Sequence, residues 1–343
     1  MIEEHGKTYS VSTLKEWMEK RYPAELGFPV AITDRIKPKV QRKKVFLSTS
    51  FHDEHKLARK ALKIGISEYI LTRSISQSEF ELMEPKYCFD AEDVRGPEKL
   101  RDRAKHGLTM ADYSIFDISS RRASVFFELG IAHALCKPWW MVWHSTPSNP
   151  LDISFLPGFL KQPLIIDFRT TQVGKISKKD EFCRKVLGEL EKGGQFSPDP
   201  LKELGREVIL QPNSFYFAHS AESYWNPVQK EVKSYLERRG LTEVSLPRDL
   251  IGKDEGVRIC CCIKSASVCL IDTTGQDCGF YCILGYAYGQ EEERTVVNLH
   301  QDDKEPIFMW EGMPDIPWNI QRMTQDIITG LEKSILEKWK EKV

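Results

Sequence analysis

The chain contains 343 residues, of which 41% are hydrophobic and 29% are charged, and its formal net charge is −1. This composition is typical of a globular protein, and the length favours two domains over one. A nearly neutral chain gives no electrostatic reason to expect nucleic acid as its partner. No run of about 18 apolar residues predicts a membrane span, and the polar start MIEEHGKTYS lacks a signal-peptide core. We therefore expect a cytoplasmic protein without a membrane partner.

Residues 1–43 precede the first predicted strand and form an N-terminal extension. STLKEWMEKR, residues 12–21, has the capping residue and the apolar spacing of an amphipathic helix. RIKPKVQRKK, residues 35–44, is rich in basic side chains. A nucleic-acid contact and a solvated linker both fit this basic run, and the neutral charge of the whole chain favours the linker.

Predicted strands then alternate with amphipathic helices, which indicates a parallel sheet covered on both faces. In the first half, strands are predicted at 44–48, near 68–71, in a segment that ends at Asp117, and at 139–143. In the second half, they are predicted at 214–218, near 243–246, in a segment that ends at Asp272, and at 295–299. Both halves are predicted to end in an amphipathic helix, the first containing Phe182, Val186, Leu187 and Leu190 and the second Ile327, Leu331 and Trp339.

An internal repeat links the two halves. The stretches 111–135 and 266–290 align without a gap, and Asp117, Leu129 and Gly130 fall on Asp272, Leu284 and Gly285. The predicted fold class is α/β, with two tandem doubly wound, flavodoxin-like units after a short helical N-terminal extension. The predicted divisions are an extension at 1–43, a catalytic unit at 44–192, a linker at 193–213 and a degenerate second copy at 214–343.

Two groups of residues have a superficial likeness to metal ligands. Cys260–Cys262 are consecutive and Cys278 and Cys282 have a CxxxC spacing, and neither pattern is usual for zinc. We expect reduced, structural cysteines. His52–His55 reads HDEH, which fits either a metal pair on a helix or a solvated helix start, and acidic residues are favoured at such a start. The prediction is that the chain holds no metal.

Glu128 lies in SVFFELGIAHAL, a run that is otherwise apolar or small. A buried carboxylate is unfavourable unless it is paired or used. A salt bridge to Arg122, exposure on a helix face and a catalytic role all fit the sequence, and the last is favoured by the neighbouring motifs. Ligands of open parallel sheets bind beyond the carboxyl ends of the strands, where Glu128 is expected.

Polar residues gather at the same predicted edge. Hydroxyl groups, helix-start amides and arginines can form a phosphate cradle. Asp117 ends its strand and could bind ribose hydroxyls or cap the following turn. The predicted substrate-binding residues are Ser48, Thr49, Ser50, Ser119, Ser120, Arg122 and Ser124.

One stretch of the sequence resembles a known group of proteins. A strand ends in Asp, a polar loop follows, and the next helix opens with two aromatic residues, Glu, Leu and Gly. This pattern, around Asp117 and Glu128, is similar to nucleoside 2-deoxyribosyltransferases and nucleotide N-glycosidases, and to the related TIR-like nucleotide-binding domains of bacteria. The resemblance implies that Glu128 is a catalytic carboxylate at the anomeric carbon. Asp117 is taken together with it as a candidate catalytic residue. It covers about 100 residues in pattern, and only this stretch is specific.

The sequence departs from the deoxyribosyltransferase pattern at a second acidic residue. The helix before the Asp strand reads LRDRAKHGLTMA, with Ala104 at the corresponding position and Asp102 half a turn away. Release of a neutral base requires a proton donor, whereas the cationic nicotinamide ring of NAD departs neutral. The departure favours hydrolysis of NAD as a substrate, with no cofactor. Deoxynucleotide cleavage and a non-catalytic nucleotide sensor are the alternatives, followed by a metal-dependent hydrolase built on HDEH.

The second copy has Ile283 where the first has Glu128. We expect it to be structural or sensory, with Asp272, Thr273 and Thr274 as its candidate ligand residues. Because enzymes of the resembled group work as oligomers, the tandem chain is expected to form an intramolecular pseudo-dimer, and a further homo-oligomer is compatible with it. The resemblance also implies a role in bacterial antiviral defence through loss of NAD.

Overall fold

The computed structural model describes much of both predicted units. The described residues are 2–4, 7–9, 43–49, 60–62, 80–83, 98–152, 156, 165–170, 175–178, 181–182, 184–186, 208–220, 225–244, 255–275, 277–290, 294–301, 315–319 and 321–336. The predicted helix at 12–21, the predicted strand at 68–71, the HDEH motif and Trp339 lie outside these residues. Near the N-terminus, β1 (Ile2–Glu4) and β2 (Lys7–Tyr9) form an antiparallel pair.

The first sheet is parallel and has five strands. They are β3 (Lys43–Ser48), β4 (Phe80–Met83), β5 (Tyr113–Asp117), β6 (Trp139–His144) and β7 (Ile165–Phe168). Their order across the sheet is β4-β3-β5-β6-β7. This is the flavodoxin-like order, in which the strand order reverses between the first and third strands of the unit.

The second sheet repeats the first. Its strands are β8 (Gln211–Ala218), β9 (Thr242–Glu243), β10 (Ala266–Asp272), β11 (Thr295–Gln301) and β12 (Asp315–Trp318). The order β12-β11-β10-β8-β9 is again flavodoxin-like, and its pairs are parallel. The predicted α/β class with two tandem units is therefore confirmed. Strand β8 begins at Gln211, slightly before the predicted residue.

Besides β4, which lies beyond the second strand predicted at 68–71, sequence patterns missed the fifth strand of each unit, β7 and β12. Each has four residues, reading IIDF and DIPW, and each places a polar residue or proline among apolar ones. So short a run has too few apolar residues for a strand period to be recognised. A proline is tolerated in β12 because this strand lies at the edge of its sheet.

Besides short helical stretches at 60–62, 181–182 and 184–186, six helices cover the sheets in the described part of the chain. They are α1 (Glu98–Met110), α2 (Ala123–Ala134), α3 (Trp225–Arg238), α4 (Glu255–Ser265), α5 (Cys278–Gly289) and α6 (Met323–Leu331), which a π-helical turn (Glu332–Leu336) follows. Helix α3 buries the apolar face that its spacing predicts. The turn after it places Gly240 at φ 84°, a conformation that favours glycine. None of the helices described is long and apolar enough to cross a membrane.

Helices α2 and α5 form the centre of the molecule and pack against each other. They run in the same direction, because Cys278 Sγ donates to Arg121 O at one end (3.7 Å) and Gln290 Nε2 donates to Ala134 O at the other (2.9 Å). Both helices are buried on almost every side, and their residues join one core cluster. Equivalent contacts are thus repeated across a pseudo-twofold axis, as in a symmetric dimer.

Two equivalent glycines allow this close contact. A Cβ atom on Gly130 would lie 2.1 Å from Cys282 O, and one on Gly285 would lie 1.9 Å from Phe127 O. Both distances are far below van der Waals contact with backbone atoms that belong to a packed helix. The Leu-Gly pair shared by the two copies is therefore required by the helix contact.

Candidate functional site

The segments expected at the site converge at the carboxyl edge of the first sheet. Strands β3 and β5 are neighbours, with Ser48 paired in register to Phe116. Ser48 lies on the face of the sheet that α2 covers, since Phe46, on that same face, shares a core cluster with α2. Thr49 is also buried, Ser124 is half-buried at the start of α2, and Ser50 lies outside the described residues.

Glu128 is 5% exposed on α2. Burial raises its pKa from 4.5 to about 7, because removal from water disfavours the charged form. The neighbouring Ser48 hydroxyl opposes this rise by a smaller amount. The two groups are neighbours rather than a formed hydrogen bond, since Ser48 Oγ does not reach hydrogen-bonding geometry with any described residue. No described side chain forms an ion pair with Glu128, so the expected alternative of a salt bridge to Arg122 is wrong within the described chain.

The second unit has lost both members of this pair. In sheet register, Ser48 pairs with Phe116 and Ala218 pairs with Ile271, so Ser48 and Ala218 occupy equivalent positions. Glu128 and Ile283 are equivalent on α2 and α5. Where the first unit has a buried carboxylate and a neighbouring hydroxyl, the second unit thus has the sec-butyl group of Ile283 and the methyl group of Ala218. This joint change indicates that Ser48 and Glu128 act as one polar pair.

Asp117 holds the turn after β5. Its Oδ1 accepts hydrogen bonds from Ser119 N (3.1 Å) and from the Ser119 hydroxyl. Ser119 Oγ also accepts from His144 N, which ties this turn to β6. The sequence left two roles open for Asp117, binding of ribose hydroxyls and capping of the following turn. These contacts show the capping role. Ser119, which was predicted to bind substrate, is engaged in the same turn.

The second unit builds the same turn from different residues. Asp272 Oδ1 accepts from Thr274 N (3.0 Å) and Thr274 Oγ1 (2.5 Å). Burial raises the pKa of Asp272, and its hydrogen bonds with Thr274 partly offset this rise. Thr273 turns away from this carboxylate and donates to Asn298 Oδ1 at 2.9 Å. The predicted trio in this copy therefore divides between a structural turn and a separate polar network.

The helix starts of the two units differ in charge. Asp277 caps α5 by accepting from Gly279 N at 2.6 Å. Its counterpart Arg122 precedes α2 and provides no side-chain cap. Next to it, Arg121 adopts φ 50° and forms a 2.9 Å ion pair with Asp152. A carboxylate fills the amide-rich start of α5, whereas at the start of α2 a half-buried arginine and the partial positive charge of the helix favour an anion.

The Ser120 hydroxyl and the Asp102 carboxylate also bear on the predicted chemistry. Ser120 Oγ is buried and has no hydrogen-bond partner among the described residues. Asp102 accepts a 2.8 Å hydrogen bond from Tyr288 OH of the second unit. Its carboxylate is thereby directed to the contact between units. Ala104, at the position of the expected second acid, is fully buried.

The cysteines of the second unit are structural. They are free of disulfides, and Cys260, Cys261, Cys262, Cys269, Cys278 and Cys282 are buried. Burial raises the pKa of Cys262, Cys269 and Cys278 to about 12, so their thiolates are scarce at neutral pH. Within the described chain, no three His, Cys, Asp or Glu side chains converge in a way that could hold a metal ion.

We expect these six cysteines to resist alkylation by iodoacetamide at pH 8 while the protein is folded. The reagent attacks the thiolate, and burial both denies access and suppresses ionisation. Peptide mapping by mass spectrometry would show Cys136, which is half-buried, alkylated first. In urea all of them should react. Rapid native alkylation of Cys278 would contradict the structural role.

Comparisons with known proteins leave the family open. No family model matches the chain, and no curated protein matches it. A conserved domain protein from Vibrio cholerae O1 biovar El Tor is 13% identical, with a TM-score of 0.23, over 87% of this chain and 86% of that chain. Tagatose-6-phosphate ketose/aldose isomerase from Escherichia coli is 7% identical, with a TM-score of 0.22, over 88% and 83%. Both scores are too low to support a functional assignment.

Proposed function

We propose that the first unit hydrolyses the N-glycosidic bond of a nucleotide, with NAD as the favoured substrate and Glu128 as the carboxylate that meets the ribose carbon. The observation that carries this proposal is the buried Glu128, which lies beside Ser48, forms no ion pair with a described residue, and is replaced together with Ser48 in the second unit. Unpaired buried carboxylates with a raised pKa are concentrated at functional sites.

The electrostatics of Glu128 suit a cationic substrate. At neutral pH a carboxyl group with a pKa of about 7 is half ionised. The positive nicotinamide ribosyl group of NAD would favour the ionised form, because an opposite charge nearby lowers the pKa of a carboxyl group. The carboxylate would then stabilise the oxocarbenium-like carbon, as nucleophile or as charge partner.

The surrounding carboxyl groups support NAD over deoxynucleotides. Release of a purine or pyrimidine requires a proton donor, and Asp117 and Asp102 are engaged in a turn and in the contact with Tyr288. Release of nicotinamide requires no such donor. The uncapped start of α2, with Arg122 and the Ser120 hydroxyl, is suited to hold the pyrophosphate. Loss of cellular NAD would arrest growth, which is compatible with a defence role.

We expect the purified full chain to release free nicotinamide when it is incubated with NAD. Chromatography with mass detection would follow nicotinamide and ADP-ribose in equal amounts. Parallel incubations with deoxynucleoside monophosphates should release no base. Base release from those substrates without nicotinamide release would overturn the assignment to NAD and would point to an acid outside the described residues.

A nucleotide sensor is the second candidate. Asp117 and Ser119 form a turn in the first unit, and Asp272 and Thr274 form the equivalent turn in the second. Residues predicted to bind or act on a ligand thus have a structural role in both units, which favours the sensor. Binding of NAD without cleavage of either substrate class would support the sensor over the hydrolase.

A further inference from the structure

The second unit contains a buried polar network on the face of its sheet that α5 covers. Thr273 Oγ1 donates to Asn298 Oδ1 at 2.9 Å, and Asn298 Nδ2 donates to Asp315 Oδ1 at 2.8 Å. His300 Nδ1 lies 3.0 Å from the same Asp315 oxygen. The network joins the loop after β10 to the two outer strands β11 and β12. Asn298, His300 and Asp315 are not among the ligand residues predicted from the sequence.

The first unit has apolar residues at all four equivalent positions. Asp117 pairs with Val142 and Asp272 pairs with Leu299, so the registers of β6 and β11 can be matched directly. Met141 pairs with Ile165, as Asn298 pairs with Asp315. The matched pairs are Ile118 with Thr273, Met141 with Asn298, Trp143 with His300, and Ile165 with Asp315.

Those apolar residues belong to the central core of the first unit, which shows that an apolar set fills this place in the fold. Replacing a buried ionic network with well-packed apolar residues is often neutral or stabilising. Folding therefore does not explain the polar set in the second unit. The exchange runs opposite to the one at Glu128 and Ser48, where the first unit is polar and the second apolar.

The open ends of the network are hydrogen-bond acceptors. In a neutral imidazole, the Asp315 carboxylate as acceptor selects the Nδ1–H tautomer of His300, and Nε2 then has a lone pair. Neither His300 Nε2 nor Asp315 Oδ2 has a partner among the described residues. The side chains are 11% and 25% exposed, so the network reaches the surface. No described cation joins it, which disfavours an anionic group as the ligand.

We propose that His300 and Asp315 form a second ligand site, separate from Glu128, which binds the hydroxyl groups of a ribose ring. Adjacent ribose hydroxyls offer two donors, which match the two acceptors left open. The network would position them: Asn298 holds Asp315, and Asp315 orients His300. The second unit would thus recognise a nucleoside through its sugar on the outer strands of its sheet.

The test uses the full chain carrying Glu128→Gln, so that turnover in the first unit does not alter the ligand. Adenosine is titrated while the imidazole signals of His300 are followed by 15N NMR, with assignment by comparison with His300→Gln. We expect adenosine to shift these signals and 2′,3′-dideoxyadenosine, which lacks both hydroxyls, to leave them unchanged. His300→Gln and Asp315→Asn should each weaken the binding of adenosine, measured by calorimetry, about 10-fold or more.

A matched variant separates binding from folding. Asn298→Met, His300→Trp and Asp315→Ile together install the residues of the first unit at three of the four positions. We expect this variant to unfold at the same temperature as the parent or higher, and to lose the hydroxyl-dependent binding. Equal effects of adenosine and its dideoxy analogue on His300, or adenosine binding that survives the triple change, would overturn the proposal. Neither readout depends on NAD cleavage, so a failure of the hydrolase proposal would be seen separately.

Discussion

Replacing Glu128 with glutamine is expected to lower the rate of nicotinamide release by about 100-fold or more, because a preorganised charge at the reacting carbon is lost. Glutamine has nearly the same size and keeps a hydrogen-bonding oxygen for its neighbour Ser48, so the fold should be retained. The measurement is kcat/KM for NAD with the wild type and the variant. Since catalysis needs the ionised carboxylate, the wild-type kcat/KM should fall as the pH drops below about 7.

The matched control is Ile283→Gln, which changes the equivalent position of the second unit. It should leave nicotinamide release within about 2-fold of the wild type, because Ile283 has no reacting group to lose. A Glu128→Gln variant with unchanged turnover would show that this carboxylate serves structure alone.

Glu128→Gln should also stabilise the folded state at high pH. The pKa of Glu128 rises from 4.5 to about 7 on folding. The folded state therefore binds the proton more tightly, and stability is lost as the pH rises from 4.5 through 7. Above pH 7 the penalty is about 3 kcal/mol, which glutamine does not incur. Urea unfolding should show Glu128→Gln more stable than the wild type at pH 8 and equal to it near pH 4. A variant that is less stable at pH 8 would contradict the buried, unpaired state of Glu128.

Replacing Gly130 with alanine is expected to destabilise the protein by about 2 to 4 kcal/mol. The new Cβ atom would lie 2.1 Å from Cys282 O and 2.7 Å from Tyr286 N, which are backbone atoms and cannot move aside alone. Helices α2 and α5 would have to separate, and the core residues between them would lose contact. Calorimetric melting temperatures and urea midpoints would measure the effect.

Two further variants define the cause. Gly285→Ala should have a similar effect, because its Cβ atom would lie 1.9 Å from Phe127 O. The double variant should cost less than the sum of the two, since one separation of the helices relieves both contacts. Gly275→Ala is the control, because no atom lies within 4 Å of its added Cβ, and it should change stability by less than about 0.5 kcal/mol. Stability of Gly130→Ala within that range would contradict the close packing.

The sequence alone determined the architecture, because its signals are local. Apolar spacing defines α3, and the ungapped repeat around Asp117 and Asp272 predicts two equivalent units. Each strand and helix must bury a face whose period is written in neighbouring residues. The short β7 and β12 escaped prediction, since four residues carry too little of that pattern.

Only the tertiary structure decided what the polar residues contact, because their partners are distant in the chain. The burial of Glu128 beside Ser48 depends on a strand and a helix that are 80 residues apart. Asp102 could not be separated from catalysis until its partner Tyr288 of the other unit was seen. The His300 network needs β12, which the sequence did not reveal, to bring Asp315 beside β11. Periodicity predicts which face of an element is buried, whereas the chemistry of a buried polar group depends on the element packed against it.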